Sequence, residues 1–435
     1  MVSARESRPW GLWDSPITPR SLSQGLRLSD AAWDSNDRTL VWLEGRSDRG
    51  VLVCARDDDP APRDLTADLS VRAMVGYGGG DFTAGHGHVW FVSGGRIYRQ
   101  RLAGGPPAPI TPSFGNAASP EVSPDGRWVL YVHSAEGQDC LALAPADGAH
   151  WPVQAARGRD FFMQPRWRPD GRAIAWIAWD HPNMPWDGTE LWTADVDCTG
   201  SLPAVSGARR LAGGAGVAVF QPEYAPDGRS IFYVSDETGW GQIYALPLDG
   251  GPARRLTPGD GEYGRPAWAQ GMRTYALVEN GALAGSRPFR GRCAPPPGGG
   301  LRRGRRARPG GDAGGYTTVD TLRAAGDRVA AVVSASARSA RLMSFDLATG
   351  AGRVWTRATG ETVPEAALST PQSVSWPTAG GDQSRTVLSS RERALQSPAG
   401  RRWSCSSTAG RPRRSPPRSS HRHSFSPRAA TPCSR

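Results

Sequence analysis

The feature that most constrains the fold is a short turn motif that recurs along the chain. The residues Pro-Asp-Gly-Arg occur at 124–127, 169–172 and 226–229, followed by the apolar runs WVLYV, AIAWIAW and SIFYVS. Proline presets φ, aspartate bonds its own backbone and glycine accepts a positive φ, so each copy predicts a tight reversal between two strands. A chain built on this motif is predicted to form antiparallel β-meanders.

Weaker copies of the same strand–turn–strand pattern fill the intervals. Equivalent positions lie 40 to 57 residues apart, at Trp33, Phe82, Val122, Trp167, Tyr224, Trp268 and Val319. Repeats of about 45 residues with several short strands each are typical of β-propellers. The sequence therefore predicts an all-β protein, a seven-bladed β-propeller with TolB/WD40-like repeats over residues 1–370.

The positive charge of the chain is confined to two segments. The 435 residues carry a formal net charge of +11, but residues 284–315 hold eight arginines and one acid, and residues 382–435 hold twelve arginines and two acids. The remainder of the chain is mildly acidic. This distribution argues against a nucleic-acid partner for the protein as a whole.

Three interpretations of these basic segments stay open: Arg-rich binding arms, solvated linkers, and translation out of frame. The chain contains arginine but no lysine, as expected of GC-rich codons, and shifted GC-rich DNA encodes mainly Arg, Pro, Gly, Ala and Ser. Residues 284–315 also interrupt the predicted sixth blade, where a linker would leave sheet edges uncovered. We favour the out-of-frame interpretation, with 382–435 as a disordered basic tail.

Composition limits the remaining functional classes. No stretch approaches the ~20 apolar residues of a membrane helix, and the N-terminus has no apolar leader, so we expect no membrane partner. The cysteines are far apart and lack zinc-ligand spacing; they are residues 54, 140, 198, 293, 405 and 433. We therefore expect a cytoplasmic protein with no metal and no cofactor.

One loop carries side chains suited to a functional surface. Residues 179–190 read WDHPNMPWDGTE and should project from the propeller face opposite the Pro-Asp-Gly-Arg turns. As residues that face substrate or a hydrolase, we predict Asp180, His181, Trp186, Asp187 and Glu190. The alternative is an irregular hairpin whose Trp and Pro side chains pack on the neighbouring blade.

Several segments together resemble the S9 (prolyl oligopeptidase) serine peptidases, nearest the bacterial dipeptidyl-aminopeptidase/acylaminoacyl-peptidase branch. They are WDSPIT at 13–18, YGGGDF at 77–82, the 179–192 loop, SDETGW at 235–240, GRPAW at 264–268 and SVSWPTAGG at 373–381. The resemblance implies that residues 371–381 begin the crossover from propeller to α/β-hydrolase domain.

In that family the propeller caps a hydrolase that carries the Ser-Asp-His triad, with the serine on a G-x-S-x-G elbow. This sequence contains no G-x-S-x-G, so we assign no catalytic residue and leave open whether the chain is an enzyme. The resemblance implies a non-catalytic, substrate-gating propeller, with short peptides and a hydrolase domain or separate hydrolase polypeptide as partners. The alternative is a stand-alone TolB-like propeller that binds a peptide or protein; the oligomeric state stays open.

Overall fold

The computed structural model describes residues 18–259, 261–278, 283–285, 315–360, 371–377 and 383–389, together with residues 363 and 368. Within these ranges the chain forms one short helix, α1 (Pro19–Ser23), and 28 strands. Nearly all of the strands belong to antiparallel sheets of four, and in each sheet the strands follow one another in chain order.

Five of these sheets follow one another from the N-terminus and are called blades 1 to 5. Blade 1 contains β1 (Arg27–Trp33), β2 (Thr39–Gly45), β3 (Gly50–Arg56) and β4 (Arg63–Asp64). Blade 2 contains β5 (Phe82–Gly85), β6 (His88–Ser93), β7 (Arg96–Arg101) and β8 (Ala108–Pro109). Blade 3 contains β9 (Asn116–Val122), β10 (Trp128–Ala135), β11 (Gln138–Pro145) and β12 (Val153–Ala156).

The other sheets complete the ring. Blade 4 contains β13 (Phe161–Trp167), β14 (Ala173–Trp179), β15 (Glu190–Asp197) and β16 (Ala204–Gly213). Blade 5 contains β17 (Val219–Tyr224), β18 (Ser230–Ser235), β19 (Gln242–Pro247) and β20 (Arg254–Arg255). After a pair of short strands, β21 (Tyr275–Leu277) and β22 (Leu283–Gly285), the final blade contains β23 (Thr318–Ala325), β24 (Arg328–Ala335), β25 (Arg338–Asp346) and β26 (Gly352–Arg357).

The first strands of successive blades pack side by side around an axis, which makes the fold a β-propeller. The predicted reversals are confirmed at all three Pro-Asp-Gly-Arg motifs. In the first of them Asp125 Oδ1 accepts a hydrogen bond from Arg127 N at 3.1 Å, and Gly126 has a φ of 73°. Gly171 and Gly228 repeat this conformation, with φ of 71° and 70°.

The prediction of seven blades is wrong. The described residues form six four-stranded blades, and the sixth repeat contributes only the two-stranded sheet β21–β22. Trp268, predicted as an inner-strand residue, lies outside any strand and is 63% exposed. The physical reason is that residues 270–275, directly after Trp268, lie on the propeller axis, as shown below. They therefore do not form the long inner strand of a four-stranded sheet.

At the C-terminal end of the described chain, β27 (Pro371–Pro377) pairs with β28 (Gln383–Ser389). Residues 383–389, which the sequence assigned to a disordered tail, are therefore in a strand. The rest of that tail and residues 286–314 lie outside the described residues, so the predictions for them remain predictions. No helix in the described ranges is long and apolar enough to span a membrane.

At the closure of the ring the Leu26 N–H donates to Ala358 O at 2.7 Å, but no strand among the described residues is shared between the first and final blades. Instead, the two sheets pack through an apolar layer in which the Trp355 ring meets the Trp33 ring edge-on, with centroids 6.0 Å apart, and the Trp42 ring at 6.5 Å. On the rim, Arg328 lies 4.4 Å over the Trp33 ring and pairs with Asp57 at 2.7 Å. Side-chain packing and this backbone hydrogen bond thus join the two blades.

We expect Trp355→Ala to destabilise the propeller strongly. Trp355 is 7% exposed, and truncating a buried tryptophan costs about 3–5 kcal/mol through lost burial and the cavity it leaves. The free energy of unfolding from urea titration measures this. The matched control is Trp151→Ala, which removes a side chain that is 75% exposed and should change stability by less than about 0.5 kcal/mol. Equal effects of the two substitutions would contradict the closure described here.

Candidate functional site

The predicted functional loop connects β14 to β15 in blade 4 and is called the 180–189 loop. Since the Pro-Asp-Gly-Arg turn of this blade joins β13 to β14, the 180–189 loop emerges at the opposite end of the sheet. The inner strands of all blades begin at that end. The loop therefore lies on the face where the chain enters each blade.

Two of the predicted acids are held together by one arginine. Arg159 donates from Nη1 to Asp180 Oδ2 at 2.5 Å and from Nη2 to Glu190 Oε2 at 2.6 Å. Arg210 donates to the other oxygen of Glu190 at 2.9 Å. Because their charges are matched in this way, Asp180 and Glu190 fix the two ends of the loop and do not present free carboxylates.

His181 forms a separate surface pair. Its Nδ1 lies 2.9 Å from Asp160 Oδ2, and its backbone N–H donates to the same oxygen at 2.9 Å. These two bonds lower the pKa of the Asp160 carboxyl. The His181 side chain is 73% exposed and packs on the Phe161 ring at 4.8 Å between centroids. In the described part of the chain no serine or cysteine bonds to this ring.

The second half of the loop forms an aromatic surface with the sixth repeat. The rings of Trp186 and Trp268 lie 4.3 Å apart between centroids, and Met184 beside them is 42% exposed. Asp187 serves the turn itself, because its Oδ2 accepts the N–H of Met184 at 3.1 Å. Pro185 is buried. We call Met184, Trp186 and Trp268 the aromatic patch. Trp186 is half-buried and lines a small pocket with Pro185 and residues of blade 5, such as Phe220, as expected for an irregular hairpin that packs on the neighbouring blade. That the predicted residues of the loop face substrate or a hydrolase stays a prediction.

The sequence did not identify the groups on the propeller axis. Residues 270–275, which we call the axial segment, begin at Gln270. Its backbone N–H donates to Gly78 O, which precedes blade 2, at 2.8 Å. Its side chain accepts a hydrogen bond from Ser119 in blade 3 at 2.8 Å. In blade 4 it donates to Phe162 O at 2.9 Å and accepts from Gln164 N at 3.1 Å.

The second half of the axial segment is bound to blades 4 and 5. Gln164 donates from Nε2 to Met272 O at 2.8 Å. Gln221 accepts the N–H of Thr274 at 2.7 Å and donates to Tyr275 O at 2.7 Å. Both glutamine side chains thus pair with backbone groups that would otherwise be buried without partners.

Gly271 completes the contacts of the axial segment. Arg323 in the final blade donates to Gly271 O at 3.3 Å and to Asp30 Oδ1 in blade 1 at 2.8 Å. A Cβ built on Gly271 would lie 3.4 Å from Asp30 Oδ2. Six consecutive residues thus reach all six blades or the segments that lead into them. Only a segment on the axis can do this, so it fills the central channel.

The backbone of the inner strands directs these side chains inward. Ser119, Gln164, Gln221 and Thr321 have positive φ, between 49° and 56°, and each lies at a break in the strand register. Such bulges turn a side chain out of the alternation of the sheet. The sequence signal is modest: Ser119, Gln164 and Gln221 each directly precede a proline, whereas Thr321 precedes a leucine, and no rule ties this pattern to an axial position.

Above the axial segment the channel opens into a cleft of about 690 Å³. Its walls come from the start of blade 1 and from residues 72–81, which lead into blade 2. Asp81 lies in this wall and accepts the N–H of Ala73 at 2.7 Å. Burial raises the pKa of Asp81 to about 6, and the nearby Asp30 adds to that rise. Among the described residues no group of acidic, histidine or cysteine side chains is arranged to hold a metal ion.

We expect Gln270→Ala to loosen the axial segment without unfolding the blades. The substitution leaves Ser119 Oγ, Gln164 N and Phe162 O without this partner, at a cost of about 1–3 kcal/mol for a buried group. Hydrogen exchange of the amides in 270–275 should accelerate about tenfold or more, while β14 stays protected. The control is Gln138→Ala, at an exposed turn. Amides of the wild-type axial segment that exchange as fast as that turn would contradict the filled channel.

Comparisons with known proteins agree with the fold. No family model matches the chain. An uncharacterized protein of Agrobacterium fabrum, Atu1656, is 27% identical over 176 residues, 40% of this chain and 54% of that protein. TolB of the Tol-Pal system of Bordetella pertussis is 34% identical over 158 residues, 29% of this chain and 36% of TolB. The chain thus matches about half or less of the length of these relatives.

Solved structures give a longer match. A puromycin-hydrolyzing peptidase of Mycobacterium tuberculosis superposes with a TM-score of 0.75 and 26% identity, over 88% of this chain and 62% of that one. A puromycin hydrolase gives a TM-score of 0.74 and 27% identity, over 89% and 63%. An uncharacterized peptidase of Bacillus subtilis, YuxL, is 31% identical over 110 residues, 24% of this chain and 15% of that protein. The protein is a β-propeller related to the S9 (prolyl oligopeptidase) family of peptidases.

Proposed function

We propose that this chain acts as the non-catalytic, substrate-gating propeller of an S9-type serine peptidase that cleaves short peptides. The observation that carries the proposal is the likeness to puromycin hydrolase, at 27% identity over 89% of this chain. The match covers 63% of that peptidase, and we propose that the hydrolytic part of such proteins lies in the remainder.

The aromatic patch supports this role. Trp268 and Met184 are exposed, and the half-buried Trp186 ring lies against Trp268. Exposed aromatic and methionine side chains on one face are typical of a protein contact surface, because they gain from being removed from water. Arg159 pairs with the acids at both ends of the 180–189 loop, and these ion pairs fix the position of the loop that carries Met184 and Trp186. We propose that this face contacts the hydrolase, with His181 and Asp187 at its edge.

The first test is whether the chain has a nucleophile of its own. We expect no labelling by a fluorophosphonate probe and no turnover of aminoacyl-p-nitroanilides, because the sequence has no G-x-S-x-G elbow. Intact puromycin hydrolase is the positive control for both reagents. Covalent labelling of a serine in this chain would show that it is catalytic and overturn the non-catalytic role.

The second test concerns the two arginine-rich segments, which we propose are read out of frame. The DNA should be resequenced across codons 275–320 and from codon 375 past the stop, and translated in three frames. We expect a shifted frame that encodes two blade strands, then a G-x-S-x-G with downstream Asp and His. Confirmed sequence with every other frame closed would overturn this and favour a binding protein.

The second candidate function is a stand-alone propeller that binds a peptide or protein. It is favoured by the 34% identity to TolB over 158 residues and by the cleft of about 690 Å³ at the channel mouth. Closed reading frames, together with peptide binding that is not followed by hydrolysis, would distinguish it from the peptidase propeller.

A further inference from the structure

The cleft at the channel mouth is blind. Its floor is the axial segment, which Gln164 and Gln221 bind through both its backbone and its side chains. On one side, the Tyr77 ring packs on Trp179 at the base of the 180–189 loop, with centroids 5.3 Å apart. Within the described part of the chain, the cleft is therefore open toward the face that carries that loop and closed at its floor.

The charges in the cleft are unbalanced by one positive unit. Arg27 and Arg72 line it, both are exposed, and neither guanidinium has a hydrogen-bond or ion-pair partner among the described residues. Asp30 is already paired with Arg323 at 2.8 Å. Asp81 offsets one of the two free arginines when it is ionised. The cleft therefore suits a ligand group with a single negative charge better than a dianion, which the two aspartates would repel.

The remaining wall suits a peptide better than a simple ion. A volume of about 690 Å³ is in the range of sites for small organic ligands and far exceeds one anion. Met74, Tyr77 and Met272 give apolar surface next to the arginines, and Met74 is 52% exposed. Such side chains can cover the methyl and methylene groups of a peptide while a guanidinium binds its terminal carboxylate in bidentate fashion.

We propose that this cleft binds the free carboxylate end of a short peptide, with Arg27 and Arg72 holding the carboxylate. The site belongs to the propeller alone. Peptide binding at this site does not require that the chain act with a hydrolase. A failure to bind the peptide and a failure of the proposed peptidase role are therefore measured by different experiments.

The test is calorimetric titration of the full chain with N-acetyl-trialanine, whose only charge is its carboxylate, and with the same peptide as its C-terminal amide. We expect the amide to bind about tenfold or more weakly, because it cannot make the charge-assisted bonds. Arg27→Gln and Arg72→Gln should each weaken binding of the free acid by a similar factor and leave binding of the amide unchanged.

Arg38→Gln is the matched control. It removes the same charge from an exposed arginine in the turn between β1 and β2, at the opposite end of blade 1. We expect it to leave the affinity unchanged, and circular dichroism should show all three variants folded, because their side chains are exposed. The proposal is overturned if the amide binds as tightly as the acid, or if Arg38→Gln weakens binding equally. It is also overturned if acetate or inorganic phosphate binds as tightly as the peptide.

Discussion

The structure depends on apolar packing between neighbouring sheets, because no strand in the described part of the chain is shared between the first and final blades. At the closure, Trp33, Trp42 and Trp355 fill the space between the first and final blades. Similar layers occupy the other interfaces, for example between blades 3 and 4. Such layers are close-packed, so each blade is fixed in angle relative to the next one. The position of every loop on either face follows from that angle.

Near the axis the requirement is different, because polar backbone groups are buried there and need hydrogen-bond partners. The axial segment meets this requirement: its N–H and C=O groups pair with the side chains of Gln164 and Gln221, which are 1% and 0% exposed. Buried polar groups are tolerated only when they are satisfied in this way. The same contacts turn a channel into a cleft with a floor. Among the described residues, this cleft is therefore open toward one face of the propeller.

The two sites differ in what their charges do. On the 180–189 loop, the acids are neutralised by arginines and serve as supports, which leaves the aromatic patch as the surface available to a partner. In the cleft, Arg27 and Arg72 have no hydrogen-bond or ion-pair partner among the described residues, so their charge is available to the carboxylate that we propose as ligand. The similarity to S9 peptidases extends over most of the chain and does not distinguish the two surfaces. The proposed roles of the aromatic patch and of the cleft can therefore be tested separately.

Much of the fold follows from local patterns in the sequence. The Pro-Asp-Gly-Arg turns and the apolar strands that follow them are set by residues close together in the chain, and they appear where they were predicted. The predicted spacing of seven blades was wrong at the sixth repeat. The resemblance to S9 peptidases was also correct. The 180–189 loop was located correctly, but the sequence did not separate the roles of its residues. Asp180 and Glu190 fix the loop only because both pair with Arg159, which lies 21 and 31 residues before them in the chain.

By itself, then, the sequence determined that this protein is an all-β propeller of repeated four-stranded units, since turn chemistry and strand alternation are local properties. Only the tertiary structure decided that the described residues form six four-stranded blades, that residues 270–275 lie along the axis, and that Arg27 and Arg72 share a cleft with Asp81. These features depend on contacts between residues up to about 290 positions apart, such as Arg323 with Asp30. No short window of sequence contains both partners of such a contact.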